Sequence, residues 1–211
     1  MILIGMFDSP FVRRVAVSMN LLGMRFEHRN WSVGKDFELI RQFNPLGRAP
    51  TLVLPDGEAL VESAAILDFI DECAGPERAL VPRSGKERRD ALRLMAVATG
   101  AAEKAVTQLY ETVFRPPEKR YRPWTDRCHS QMHAALAELD RLAKGRVGEW
   151  LIGNRLTQAD ITATCVYTFL ADALGIDRGA YPGLAAIAEG CEARPEFCSV
   201  KADWFPPGDG G

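Results

Sequence analysis

Residues 1–23 read MILIGMFDSPFVRRVAVSMNLLG and combine a buried strand, a polar turn and an amphipathic helix. The apolar run at 2–6 is typical of a strand, whereas apolar residues recur at helical spacing over 11–22. Pro10 suits a first helical position, because its missing N–H would have no partner there. Ser9 therefore stands where free N–H groups and the positive end of a helix dipole favour an anion.

The pattern of strands and helices continues to residue 75. We predict an extended stretch at 25–31, a helix at 36–43, strands at 51–54 and 59–61 joined by a turn, and a helix at 63–73. The order is β-α-β-α-β-β-α. Strands that alternate with helices favour a mainly parallel sheet, to which the hairpin adds an antiparallel member.

The second part of the chain carries only helical patterns. After a linker at 76–86, we predict helices at 87–114, 124–144, 157–173 and 182–193, and a last short one at 196–204. The expected organisation is an α/β domain at 1–75 and an all-helical domain at 87–211. The proline-rich and glycine-rich tail at 206–211 is expected to fray.

Composition excludes several classes of function. A net charge of −2 and a pI near 6.0 give no footprint for nucleic acid or an anionic membrane. No apolar run is long enough to span a membrane and no signal peptide is apparent, so we expect a cytoplasmic protein. Five cysteines without a C-x-x-C pair indicate reduced thiols. His129 and His133 share a helical face, but no third ligand lies close in sequence, so no metal is expected.

The start of the helix predicted at 157–173 is clearly marked. Thr157 provides an N-cap hydroxyl, and Asp160 provides a carboxylate three residues later. Leu156 and Ile161 flank them at the positions of a hydrophobic staple. We interpret this capping box as structural.

Four motifs, in this order, resemble those of the cytosolic glutathione S-transferases over nearly the whole chain. They are Ser9-Pro10-Phe11, NPLGRAP at 44–50, Glu62-Ser63, and the capping box at Thr157. The resemblance implies a thioredoxin-like N-terminal domain that binds glutathione and a helical domain that contributes the pocket for an electrophile. Ser-Pro-Phe is most like the tau class and many unassigned bacterial members.

The resemblance also assigns roles in glutathione binding. Pro50 is expected to follow a cis bond, and the backbone of Ala49 to pair with the cysteinyl unit. Ser63 and Glu62 would hold the γ-glutamyl carboxylate and ammonium, although an ordinary N-cap with an acidic neighbour is the alternative. Arg48 and Lys35 would meet the glycyl carboxylate, or else are charged surface. Phe11 completes the set of glutathione-binding residues.

Ser9 matches the catalytic residue of the serine-type classes, where a hydroxyl donates a hydrogen bond to the glutathione sulfur. No histidine follows in the same segment to make Ser9 a nucleophile, and its alternative role is a plain N-cap. A thiol oxidoreductase would need a cysteine near position 9, and none is present. The implied reactions are conjugation of glutathione to a small apolar electrophile or glutathione-dependent reduction of a peroxide.

The resemblance leaves the substrate open. Candidate walls of the electrophile pocket are the aromatic residues Tyr110, Phe114, Tyr167 and Trp204, although most aromatic residues at helical spacing belong to a core. A homodimer is expected, with contacts near 64–67 and 92–99. The competing hypothesis is a non-catalytic binding or regulatory protein on the same scaffold.

Overall fold

The computed structural model describes residues 1–205, which form two compact units. The first unit contains Met1–Arg83 and the described residues from Ala193 onward, and the second is Ser84–Glu192. The predicted frayed tail lies outside the described residues. No helix in the described part of the chain is both long and apolar enough to cross a membrane.

The first unit is built on a four-stranded sheet. Its elements are β1 (Ile2–Ile4), α1 (Pro10–Leu21), β2 (Glu27–Arg29), α2 (Phe37–Arg41), β3 (Thr51–Val53), β4 (Ala59–Val61) and α3 (Ser63–Ala74). The strand order is β2-β1-β3-β4. The predicted thioredoxin-like order of elements is confirmed.

The expectation of a mainly parallel sheet is wrong. Only β1 and β2 pair in parallel, because α1 provides the crossover that a parallel connection requires. Strand β3 runs antiparallel to β1, with Leu3 opposite Leu52, and β4 runs antiparallel to β3, with Leu52 opposite Leu60. Two of the three strand pairings are therefore antiparallel, and β3 runs against the other three strands.

Alternating side chains of β1 serve the two faces of the sheet. Ile4 packs with Ile40 of α2 and Val53 of β3, and Trp31 and Phe43 lie against this cluster. Helices α1 and α3 pack together, and their inner residues Val12, Val15, Ile66 and Ile70 are fully buried.

The second unit is a bundle of α4 (Gly85–Val113), α5 (Arg122–Lys144), α6 (Gln158–Leu174) and α7 (Pro182–Glu192). Helix α6 begins with the capping box. Asp160 Oδ2 accepts from Thr157 N at 2.9 Å, and Thr157 Oγ1 accepts from Ala159 N at 3.3 Å. Asp160 Oδ1 also accepts from Leu151 N at 2.8 Å, so one buried carboxylate holds the preceding loop and the helix start.

The last described helix, α8 (Pro195–Cys198), is shorter than the helix predicted at 196–204. It belongs to the first unit, where it packs on α1. Residues 201–205 form no regular element. The sequence did not indicate that α8 would join the α/β unit. The hydrogen bonds from Arg13 and Asn20 of α1 to this helix join residues more than 170 positions apart.

Candidate active site

Ser9 lies in the turn that joins β1 to α1. Its N–H donates to the Met6 carbonyl at 3.2 Å, and its carbonyl accepts from Arg13 N at 2.9 Å. The extended backbone of Ser9 (φ −72°, ψ 124°) ends where Pro10 begins the helix. Within the described chain, the Ser9 hydroxyl makes no capping hydrogen bond. The half-buried side chain is thus not engaged in the bond that a plain N-cap would make.

Ser63, the first residue of α3, is held by a buried arginine. Arg14 Nη2 and Nε donate to Ser63 Oγ at 2.7 and 3.2 Å, and both side chains are almost fully buried. A serine oxygen has two acceptor lone pairs and one hydrogen. Because Arg14 supplies two donors, the hydroxyl hydrogen of Ser63 is left to donate to an acceptor such as a carboxylate.

The loop at 44–50 ends in the cis peptide bond Ala49–Pro50, as the resemblance implies. Asn44, which is 1% exposed, braces this loop: its Nδ2 donates to the Arg48 carbonyl at 2.8 Å, and its Oδ1 accepts from Leu46 N at 3.0 Å. The loop lies against Gly5 at the end of β1. A Cβ at Gly5 would lie 2.7 Å from Ala49 Cβ, so only glycine permits this approach.

Glu62, immediately before α3, has a left-handed backbone with φ 69°. Such a conformation costs of order 1–3 kcal/mol for a residue other than glycine. Its carboxylate pairs with Arg48, whose Nη1 lies 3.1 Å from Glu62 Oε1, and both side chains are more than half exposed. Lys35 is exposed two residues before Phe37, whose ring covers Gly47.

These contacts connect most of the predicted glutathione-binding residues. Arg14 links α1 to Ser63, Glu62 links the start of α3 to Arg48, and Ala49 reaches back to Gly5 beside the Ser9 turn. Phe11 is half-buried in the first turn of α1.

The aromatic candidates have different environments. Tyr110 and Phe114 form an edge-to-face pair on α4, with centroids 5.0 Å apart, and are 39% and 53% exposed. Trp204 is half-buried in the first unit. Tyr167 is 2% exposed, and its hydroxyl donates to the Arg178 carbonyl at 3.0 Å. That position is typical of a core residue, which was the alternative for each of the aromatic candidates.

Outside this region, the histidine pair lies on α5. The Nε2 atoms of His129 and His133 are 3.0 Å apart, and His133 Nδ1 lies 2.6 Å from the Tyr181 hydroxyl. Burial and the neighbouring His129 lower the pKa of His133. Among residues 1–205, no group of three or more potential ligands could hold a metal ion. All five cysteines are free, and burial raises the pKa of the Cys191 thiol to about 12.

Three residues with a place in the site were missed by sequence reasoning. Arg14 lies outside the apolar face of α1 that the spacing predicts, so its burial could not be read from the sequence. Asn44 belongs to the motif at 44–50, but the motif did not reveal that its side chain braces the loop. Asp8 gave no signal, because its partner, Phe205 N at 3.1 Å from Asp8 Oδ2, is remote in sequence.

Comparison with known families decides the membership of the chain. Residues 3–78 match the glutathione S-transferase N-terminal domain, and residues 122–189 match the C-terminal domain of the same family. The chain belongs to the glutathione S-transferase family. The two matches correspond to the α/β unit and the helical unit described above.

Several relatives match this family member over nearly its full length. It is 28% identical over 204 residues to the uncharacterized GST-like protein YibF of Escherichia coli, covering 94% of this chain and 97% of YibF. The glutathione S-transferase of Methylobacterium radiotolerans, crystallised with glutathione sulfonate, superposes with a TM-score of 0.90 at 28% identity, covering 97% of this chain and 95% of that one. The enzyme of Methylobacillus flagellatus, crystallised with glutathione, has a TM-score of 0.86 at 25% identity, covering 94% and 98%.

Proposed function

We propose that this protein is a glutathione transferase that activates the glutathione thiol with Ser9. The activated thiolate attacks a small apolar electrophile or reduces a peroxide. The observation that carries the proposal is the Ser9 hydroxyl, which lies at the start of α1 without a capping hydrogen bond. Its family relatives crystallised with glutathione and glutathione sulfonate support glutathione as the ligand.

The electrostatics of the Ser9 turn are sufficient for this role. A cysteine thiol has a pKa near 8.5, and lowering it by about two units requires about 2.7 kcal/mol. A hydrogen bond to a charged acceptor contributes roughly 1.5–3 kcal/mol, and a helix N-terminus about 0.3–1 kcal/mol. Together these two contributions match the requirement.

The surrounding residues suit the rest of the glutathione molecule. The free hydrogen of Ser63 would donate to the γ-glutamyl carboxylate, with the charge of Arg14 behind it. The Glu62 carboxylate would accept hydrogen bonds from the γ-glutamyl ammonium, and its ion pair with Arg48 would weaken as a result. Arg48 and Lys35 would then bind the glycyl carboxylate. The backbone of Ala49, which precedes the cis Pro50, would pair with the cysteinyl unit.

The electrophile would contact exposed aromatic side chains. Tyr110 and Phe114 of α4 offer such a surface, and Trp204 of the first unit offers another. Exposed aromatic rings suit contact with a small hydrophobic substrate.

We further propose a homodimer in the cytoplasm. Leu92 on α4 is 44% exposed, and Ala64 and Ala65 are exposed on α3, so apolar surface is available for a second copy. Five free cysteines are consistent with a reducing compartment. Light scattering at micromolar concentration should give twice the mass of one chain, and a single-chain mass would contradict the dimer.

The decisive experiment titrates the thiol of bound glutathione by the ultraviolet absorbance of the thiolate. Ser9→Ala should raise the pKa of the bound thiol by about one to two units and reduce turnover correspondingly. The matched control is Ser84→Ala, because Ser84 is also an N-cap serine without a capping bond, at the start of α4. An unchanged thiol pKa in Ser9→Ala would refute the role of Ser9. Glutathione binding without turnover of any electrophile would favour the non-catalytic alternative.

A further inference from the structure

The turn at residues 5–9, which carries Ser9, is held by the half-buried side chain of His28 on β2. His28 Nε2 lies 2.8 Å from the carbonyl oxygen of Gly5. A carbonyl oxygen can only accept a hydrogen bond, so Nε2 carries the hydrogen and donates it. The same imidazole stacks on the ring of Phe7, with ring centroids 3.7 Å apart and the two planes at 6°. One side chain therefore contacts the turn at its first residue and at its middle.

The bond from His28 matters because the backbone of Gly5 is permissive. Gly5 has a φ of 131°, a conformation that other residues rarely adopt, and glycine has no side chain to restrict its rotation. Its N–H donates to the Arg29 carbonyl at 3.0 Å, which fixes one side of the residue. His28 fixes the other side. Because the peptide group between Gly5 and Met6 is planar, the direction of the Gly5 carbonyl also sets the direction of the chain that follows.

The path from this peptide group to Ser9 is short. The carbonyl of Met6 accepts from Ser9 N–H at 3.2 Å, and Phe7, on which His28 stacks, lies between them in the chain. The Ser9 hydroxyl makes no capping hydrogen bond within the described chain, so the backbone of the turn determines where its oxygen lies. Hydrogen bonds weaken steeply when they are misdirected, and a small rotation of the turn would therefore weaken the bond that Ser9 donates.

We propose that His28 is a positioning residue for Ser9, which holds the serine hydroxyl in the direction from which it donates to the glutathione thiolate. This inference rests on the proposed role of Ser9. His28 acts through the turn and not on the sulfur. An imidazole suits this task because one planar ring offers an N–H at its edge for Gly5 and a face on which Phe7 can stack.

The test measures two quantities in the full chain. One is the pKa of the bound glutathione thiol, followed by thiolate absorbance, and the other is the Kd of S-methylglutathione, which has no thiol to ionise. His28→Ala should raise the thiol pKa by about 0.5–1 unit, which lowers the thiolate fraction about three- to tenfold at a pH below that pKa. The Kd of S-methylglutathione should stay within about threefold of the wild type.

Three further variants complete the comparison. His28→Gln keeps a side-chain N–H donor and should bring the thiol pKa back toward the wild-type value. His28→Phe keeps the stack but loses the donor, so it should raise the thiol pKa and replaces His28→Ala if that variant does not fold. The matched control is His129→Ala, a histidine change on α5 in the second unit, which should leave both quantities unchanged.

A double variant separates positioning from a general loosening of the site. If His28 acts through Ser9, His28→Ala should shift the thiol pKa by less than about 0.2 unit in a Ser9→Ala background. Equal shifts in the two backgrounds overturn the inference, as does a loss of S-methylglutathione affinity of more than about tenfold.

The outcomes also distinguish this inference from the proposed function. A wild-type thiol pKa in folded His28→Ala and His28→Phe, with a raised pKa in Ser9→Ala, overturns the inference and leaves the role of Ser9 standing. An unchanged thiol pKa in Ser9→Ala, or a wild type that binds no glutathione, overturns the proposed function and this inference together.

Discussion

Replacing Arg14 with methionine should weaken glutathione binding through its effect on Ser63. Arg14 donates two hydrogen bonds to Ser63 Oγ, at 2.7 and 3.2 Å, and is 3% exposed. Without these donors the Ser63 hydroxyl can rotate, and its hydrogen is no longer directed to the γ-glutamyl carboxylate. The ligand also loses a nearby positive charge.

The magnitude follows from the charged bond that is lost. Hydrogen bonds to charged groups contribute roughly 1.5–3 kcal/mol, so we expect a loss of about 2 kcal/mol, or about thirtyfold in Kd. The fold should also lose stability, because removing one partner of a buried hydrogen-bonded group leaves the other unsatisfied, at a cost of roughly 1–3 kcal/mol. Arg14→Lys keeps the charge but loses the planar fork, and should lie between the wild type and Arg14→Met.

Calorimetry with two ligands assigns the effect to one end of glutathione. The second ligand is glutathione with its γ-glutamyl carboxylate amidated. Arg14→Met should bind this amide as well as the wild type does, whereas it should bind glutathione about thirtyfold more weakly. Ser63→Ala provides an independent variant with the same pattern. A folded Arg14→Met that binds glutathione within about threefold of the wild type would refute the reasoning.

Three further predictions concern stability. Thr157→Ala should lower the free energy of unfolding by about 1–2 kcal/mol in urea denaturation. Asp160→Asn should lower it by more, because Asp160 accepts hydrogen bonds from two backbone N–H groups. A loss below about 0.5 kcal/mol in Thr157→Ala would count against the capping box. At Glu62, where φ is 69°, a glycine variant should be about 1 kcal/mol more stable than an alanine variant, and equal melting would contradict backbone strain. Because burial and His129 lower the pKa of His133, the unfolded chain binds that proton more readily, so stability should fall as the pH drops from 6.5 through the folded pKa. His133→Gln should flatten this acid-side decline in denaturation curves, and an unchanged slope would rule it out.

Local patterns were enough to predict the elements of the fold. The helix predicted at 63–73 is observed as Ser63–Ala74, and the strand predicted at 59–61 is observed as Ala59–Val61. Turn residues, proline positions and apolar periodicity act over a few residues, so they can be read without a structure. The direction of β3 was mispredicted because strand pairing is a long-range property.

The candidate site divides in the same way. Ser9, Glu62 and Ser63 were found from motifs in which the residues that matter are adjacent in the chain. The burial of Tyr167 in the helical unit was not predictable, because an aromatic residue at helical spacing suits either a core or a pocket.

The sequence by itself determined the order of the elements, the start of each well-marked helix and the position of the Ser9 hydroxyl at the N-terminus of α1. Only the tertiary structure decided which groups meet that turn. The bonds from Arg14 to Ser63 and from Phe205 to Asp8 join residues 49 and 197 positions apart. Such contacts depend on how whole elements pack, and local propensity carries no record of that packing.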